Sequence, residues 1–352
     1  MNIFDKVKVL IETYSESLKM FTLCIVCNTK SAQAIPSNRD TEYFSDDEFE
    51  EIISMFTMLG MNMEFFLNEN DFIQFVLNDK SERRLVVYNA AQSGKGPGRK
   101  SLLPSFCNLH KILIAGSNAY VVSLCRHKYH TNKLLSAASF PVPRSWIYAN
   151  RLLDLDKPDK GQKIILKPLY ESASIGVDSD SVVHFSDDDQ MQKMLRKRQT
   201  MMEQPIMLQQ FIEGYEVEVP ILSYSGSIVC LPPIGISLGA TPLMNNQILD
   251  YETVYFDKYR FYDFRSIGVV SDLISKTAEE IALYLGIEGL GRVDFRVKRD
   301  FSFFVTDVST NPHFIEHSST YHAFRLLGMN RDDIAKVVIC EALSKIESPL
   351  SL

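Results

Sequence analysis

Residues Gly291 to Pro312, GRVDFRVKRDFSFFVTDVSTNP, constrain the fold of this chain more than any other stretch. Period-two alternation puts Arg292, Asp294 and Arg296 on one face of a strand and Val293, Phe295 and Val297 on the other. A polar turn around Lys298 to Asp300 follows, and an apolar return strand carries Asp307 and Ser309 on a shared face. Closure near Arg299–Ser302 predicts a hairpin with Asp294 directly opposite Asp307. Like charges so placed destabilise a sheet; at roughly 5 Å and an effective dielectric near 20 the repulsion is about 3 kcal/mol. A cation between them removes the penalty, and hard oxygen ligands with Ser309 or Asn311 nearby suit Mg²⁺. The plain competing reading is two solvated carboxylates near a sheet edge.

The 352 residues, 45% hydrophobic and 23% charged, are ordinary for a soluble protein of two or three domains. A net charge of −7 argues against a nucleic-acid or anionic-membrane binder. The basic run Arg196-Lys197-Arg198 reads as the solvated end of a helix. No apolar run approaches the ~18 residues of a membrane span, and the N-terminus lacks a signal-peptide pattern. Six scattered cysteines within apolar segments read as reduced core thiols, so the expected location is the cytoplasm.

Helical spacing from Ile3 to Leu18 predicts an amphipathic leader helix in residues 1–20. An N-terminal α/β domain is expected over 21–120, with strands Phe21–Cys27, Met63–Phe66 and Leu85–Tyr88, a helix opening at Ser45-Asp46-Asp47-Glu48 and another over Ser101–Leu109. Pro141-Val142-Pro143 reads as a linker inside a central unit, 121–205, with strands Lys163–Leu166 and Ser181–His184 and helix Asp187–Met202. A C-terminal unit, 206–352, carries further strands, helix Asp272–Leu285, the hairpin and a last helix.

Several motifs compete for attention. Ser93 to Ser101, SGKGPGRKS, invites a P-loop reading, but position 99 is Arg where GxxxxGK[ST] needs Gly, and Pro97 removes a backbone donor. An exposed, substrate-facing loop is expected there, with Arg99 free to meet a carboxylate or phosphate. His313-Phe314-Ile315-Glu316-His317 matches H-x-x-E-H, yet follows Asn311-Pro312 in an expected loop, where no helix brings both His to one metal. Cys24 and Cys27 have CxxC spacing inside a buried strand, pointing to opposite faces. Ile164-Ile165-Leu166-Lys167-Pro168 ends an apolar strand with a Lys, which is costly unless it meets an anion. The loop Glu171–Gly176 beyond it can offer backbone N–H groups and the Ser174 hydroxyl to phosphate oxygens. Met207–Glu216 is a strand end, a Gly turn and a carboxylate opening the next strand, able to read an adenine edge and hold ribose; its plain alternative is a Gly turn with a surface Glu.

In order, Lys128, KP-ESASIG, QQFIEGYEVEV, LDYETVY, GRVDFR and DVSTNP–HSS resemble the ATP-grasp superfamily, and within it the D-alanine–D-alanine ligases, from about Leu85 to Leu343. The resemblance implies an α+β fold: a Rossmann-like N-terminal domain, a small central α+β domain and a C-terminal α+β domain, with ATP between the last two. It puts Lys128 and Lys167 on the phosphates with Ser174, Gln209, Gln210 and Ile212 at the adenine, and Glu216 on the ribose. Asp294 and Asp307 become ligands of Mg²⁺, as one or two ions with Mn²⁺ as substitute, and Ser309 or Asn311 completes a second site. Arg292 faces the activated carboxyl group with Lys167, Ser318 holds the second substrate's carboxylate, and Tyr255, His313 and Arg99 border substrate.

The departures cluster on substrate contacts. Asp307 and Ser309 stand where the family has Glu and Asn, Ala173 where it has Ser, Val254 where it has a phosphate Lys, and His313 where it has Gly. Lys258 lies one strand turn beyond Val254, and a basic stretch ending Arg99-Lys100 replaces an acidic loop. The expected activity is an ATP-dependent carboxylate–amine ligase acting through an acyl phosphate on small-molecule amino acids or carboxylates, with a closing loop near Ser237–Gln247. A homodimer through the N-terminal domain is the family-level expectation. The alternative is an altered ATP-binding sensor or scaffold, motivated by Ser309 and Val254; a third is a metal-dependent hydrolase built on H-x-x-E-H.

Overall fold

A computed structural model describes residues 2–30, 43–224, 226–239, 241–256 and 258–347. Helix α1 (Ile3–Tyr14), capped by the Asn2 side chain, turns its Val7 and Leu10 stripe onto the body. Strands β1 (Phe21–Cys27), β2 (Asn62–Phe66), β3 (Arg84–Ala90) and β4 (Leu113–Ile114) form a parallel sheet in the order β2-β1-β3-β4. Helices α2 (Asp46–Thr57), α3 (Glu69–Asn78) and α4 (Leu102–Leu109) connect them. A capping box between Ser45 and Glu48 opens α2, whose first turn carries the acidic run. β1 is buried along its whole length, and its two faces feed separate cores. Cys27 joins one with Leu23 and Ile25; Cys24 joins the other with Val26 and Phe72. The CxxC pair therefore points to opposite faces, and burial pushes both thiols up to about 12.

Helices α5 (Ala119–Arg126) and α6 (Lys128–Ala137) lead to a small antiparallel sheet of β5 (Ser145–Tyr148), β6 (Lys163–Pro168), β7 (Val182–His184) and β8 (Ile206–Gln210), ordered β5-β8-β6-β7. Helix α7 (Asp189–Met202) covers it through Met191 and Leu195. The expectation of a solvated basic end on α7 is corrected at Arg198, which is buried and ion-paired to Asp178 at 2.7 Å. It also reaches Ser181, and so anchors the loop between β6 and β7.

The largest sheet contains β9 (Tyr215–Tyr224), β10 (Ser227–Cys230), β11 (Ile234–Ser237), β12 (Arg260–Asp263), β13 (Gly289–Val297) and β14 (Phe303–Ser309). Its order is β12-β11-β9-β13-β14, with β10 beside β9. Helix α8 (Tyr251–Tyr255) precedes β12; α9 (Val270–Leu285), α10 (Ser319–Leu326) and α11 (Arg331–Ser344) complete the unit. Val293, Phe295 and Val297 pack against Ile274, Ala278 and Ile281 of α9, which leaves the opposite face of β13 to its charged residues. α11 is buried nearly all round and shares one core with α1, β1, β3 and α2, so the leader helix and the C-terminal helix pack as one layer. At Gly214, between β8 and β9, an added Cβ would lie 2.0 Å from the Val297 carbonyl oxygen; only glycine admits that approach of the turn onto β13.

Candidate active site

The hairpin pairs Asp294 with Asp307, and its register is not uniform. Near the turn Val297 faces Phe303 and Phe295 faces Val305; beyond a β-bulge Asp294 faces Asp307 and Arg292 faces Ser309. Without the bulge, Asp294 would meet Thr306. The extra residue turns Thr306 onto the Asp294 carbonyl (3.2 Å) and brings the second carboxylate into line. The same row continues to Glu218 on β9, the register partner of Asp294. Three carboxylates thus stand side by side on one face.

Protein cations compensate them. Arg292 donates Nε to Asp294 at 2.7 Å and Nη2 to its other oxygen at 2.9 Å, and its Nη1 lies 3.1 Å from Glu218. Burial alone would lower the Arg292 guanidinium, but Asp294 and Glu218 together hold it above its ordinary value. Burial pushes Glu218 upward, against the charge of Arg292. Lys128, at the start of α6, ion-pairs with Asp307 across 179 residues of chain. Burial would raise Asp307, yet Lys128 and then Lys167 keep it below the usual carboxylate range. One rung along, Arg296 holds Glu216, so the latter is not the surface Glu of a plain turn.

Lys167 differs from these cations. It leaves β6 toward the same cleft, and its ammonium donates to the Gln209 side-chain oxygen at 2.9 Å. Burial lowers it, with Asp307 the main opposing charge. In the loop that follows, Ala173, Ser174 and Gly176 all have positive φ. A Cβ on Gly176 would meet Pro168 at 2.6 Å and Met202 at 2.9 Å. Ile175 and Val177 close N–H bonds within the loop, and the Ser174 hydroxyl donates to the Leu249 carbonyl at 2.6 Å. That hydroxyl therefore ties the loop to the segment before α8. Arg296 donates to the Gln247 carbonyl and Gly214 to that of Asn245, so the 241–251 segment is fastened over the cleft.

The substrate-side residues are placed differently. Tyr255 projects from α8, exposed, with the Lys30 ammonium 5.8 Å from its ring centre. His313 stacks on Phe44 at 4.8 Å between centroids. Ser318 caps α10, accepting from Tyr321 N and donating to the Ile315 carbonyl. Gln210 and Ile212 end β8 and begin the turn beside Gly214, where Phe211 lies between the cations of Lys163 and Arg296.

Two expectations need correction. Arg99 does not sit on an exposed cation loop: its side chain is 3% exposed and donates to Glu171 at 2.9 Å. Glu171 also accepts from Gln204 at 2.7 Å and lies 3.9 Å from Arg126. Lys258 does not follow a strand; residues 251–255 are helical under an Asp250 cap, and Lys258 pairs with Glu252 at 2.8 Å. Asn311 lies past the end of β14 and donates Nδ2 to the Asn89 carbonyl of β3 at 3.0 Å, which turns that amide toward the parallel sheet. Glu218 and Arg296 were missed as site residues. Their period-two spacing from Glu216 and Asp294 was the available signal.

Among the described residues no three His, Cys, Asp or Glu side chains converge as a metal site, and none of their helices is long and apolar enough to cross a membrane. The 313–317 segment is irregular, so H-x-x-E-H has no helix to align it. Two facing carboxylates match the needs of a hydrated, phosphate-borne divalent cation, which takes one or two carboxylates and completes its shell from ligand oxygens.

Residues 158–340 match the family model described as D-ala D-ala ligase C-terminus. A D-alanine–D-alanine ligase of Bordetella pertussis is 28% identical over 255 residues, covering 72% of this chain and 77% of that protein. One from Flavobacterium psychrophilum is 25% identical over 293 residues, covering 82% and 84%. The crystal structure of the Bacillus anthracis D-alanine–D-alanine ligase complexed with ATP superposes with a TM-score of 0.67 at 17% identity, over 93% of this chain and 100% of that one. With the carboxylate row, its cations and the small-residue loop on one cleft, the chain belongs to the D-alanine–D-alanine ligase family and is an ATP-dependent carboxylate–amine ligase of ATP-grasp fold.

Proposed function

We propose that the enzyme joins two amino acids, or an amino acid and a related small carboxylate, with ATP held between the small antiparallel sheet and the largest sheet. The observation that carries this is the Asp294–Asp307 pair with Lys128, Lys167 and Arg292 around it. Lys128 and Lys167 neutralise phosphate oxygens, and Lys167 has the stronger reason to do so because its buried ammonium meets only an amide oxygen by hydrogen bond. Gln209, Gln210 and Ile212 border the adenine, and Glu216 takes the ribose hydroxyls. Asp294 and Asp307 hold Mg²⁺, which supplies charge neutralisation at the transferring phosphoryl group. Ser309 offers a neutral hydroxyl where the family pattern has an Asn carbonyl oxygen, so one ion is the stoichiometry these residues favour. Arg292 orients the carboxylate being activated and stabilises the oxygen charge that grows as the amine attacks. Ser318 and the N-terminus of α10 receive the second substrate's carboxylate. The 241–251 segment excludes water from the acyl phosphate.

The curated relatives are named for D-alanine. Here His313 stands, stacked on Phe44, where the family pattern has Gly, and the 94–100 loop is basic, so we infer a larger or more acidic substrate than alanine. ADP release by purified protein with Mg²⁺, screened over D- and L-amino acids and small dicarboxylates, tests this. Amino-acid-dependent release that falls at least a hundredfold in Asp294→Asn is the expected result; release for no substrate despite tight ATP binding would overturn the ligase reading.

A further inference from the structure

Arg292 stands opposite Pro220 on β9 and Ser309 on β14, so neither direct neighbour across the sheet offers it a charge. Its carboxylates are Asp294 on its own strand and, diagonally across β9, Glu218. The next arginine, Arg296, needs no such arrangement because Glu216 lies directly opposite it. Glu218 is costly to keep: it is buried, flanked on β11 by Ile234, and adds a third like charge to the Asp294–Asp307 row. A role confined to packing is met by an apolar residue at that position.

In the ligand-free protein both oxygens of Asp294 accept from Arg292. A metal ion at Asp294 shares those two oxygens and withdraws electron density from their bonds to Arg292. We propose that Glu218 is a positioning residue for Arg292, holding the guanidinium toward the substrate carboxylate when Asp294 turns to the metal. Lys128 undergoes the complementary exchange: once Asp307 ligates the ion, its ammonium is released to phosphate. One carboxylate row thereby frees one cation and keeps the other in place. This rests on the ligase reading above and assigns a residue to which that reading gives no role.

The test compares full-length wild type, Glu218→Gln and Glu218→Asp. Steady-state ADP release gives kcat and KM for ATP, and calorimetry gives the affinity for Mg²⁺ with a non-hydrolysable ATP analogue. The Arg292 side-chain Nε–H resonance, identified by its absence in Arg292→Lys, is followed in the analogue complex. In Glu218→Gln, kcat drops tenfold or more, KM for ATP and analogue affinity stay within twofold, and the Arg292 resonance broadens; Glu218→Asp recovers part of kcat. An unchanged kcat with an intact resonance would overturn the proposal. So would a parallel loss of kcat, analogue affinity and Tm in both variants, which marks a merely structural residue. If the wild type itself releases no ADP, the ligase reading fails, and the resonance still decides whether Glu218 holds Arg292.

Discussion

The buried charges around Arg292 and those around Glu171 are built on opposite plans. Around Arg292 each ion has a partner that a ligand can replace: Asp307 is 30% exposed and Arg292 23%, both open to the cleft. Around Glu171 a single carboxylate holds Arg99 and Gln204, with Arg126 close by, and both Arg99 and Glu171 are almost fully enclosed. The first is arranged for exchange, the second for permanence. A charge that must change partners during a reaction needs access and a competing neighbour; one that only fastens a loop is best sealed.

Breaking the sealed cluster has the largest expected effect on stability. Glu171→Ala removes a buried carboxylate from between two guanidinium groups and costs about 3 kcal/mol, read as a fall in the denaturant midpoint. Lys167→Met sharpens the contrast. Nucleotide affinity falls on the order of a hundredfold, about 2.7 kcal/mol, measured by calorimetry, while Tm does not fall, because the lost ammonium is poorly solvated and hydrogen-bonded only to Gln209.

Glu341, a buried carboxylate outside both clusters, tests whether permanence can depend on pH. Glu341 of α11 accepts from Gly116 N at 2.5 Å, with Lys345 at 3.8 Å, and burial pushes it up to about 7 from 4.5. The folded state binds this proton more tightly than the unfolded chain. Its contribution is therefore complete below pH 4.5 and is lost as pH rises to about 7. Chemical denaturation of wild type against Glu341→Gln shows this as a difference with a slope of up to about 1.4 kcal/mol per pH unit. The smallest effect is expected at His313→Gly, which alters KM for an amino-acid substrate several-fold and leaves KM for ATP unchanged. Stability stays within about 0.5 kcal/mol, as for surface changes generally.

The two faces of the hairpin were readable in the chain because strands impose a period of two. Arg292, Asp294 and Arg296 share a face for that reason, and the apolar Val293, Phe295 and Val297 declare the other. Lys167 announced itself as a cation ending a buried strand. The long-range partners of charged residues were less legible. Arg99 looked like a free cation because its local sequence is Gly-rich and basic, yet Glu171, far along the chain, covers it. Arg198 looked solvated within a basic run, yet Asp178 and Ser181 bury it. Local pattern reports which side of an element a residue occupies, and it is silent on which distant element covers that side.

The sequence by itself determined the order of the elements, the charged and apolar faces of β13, and the residue types gathered at the cleft, because these follow from the backbone period and the cost of burying charge. Only the tertiary structure decided the partners. The Asp294–Asp307 pairing that the hairpin pattern predicts is reached only through a bulge at Thr306, Lys128 arrives from 179 residues away, and Glu218 meets Arg292 on a diagonal. Register and long-range docking are set by how three sheets and their helices pack together, and no local run of residues contains that information.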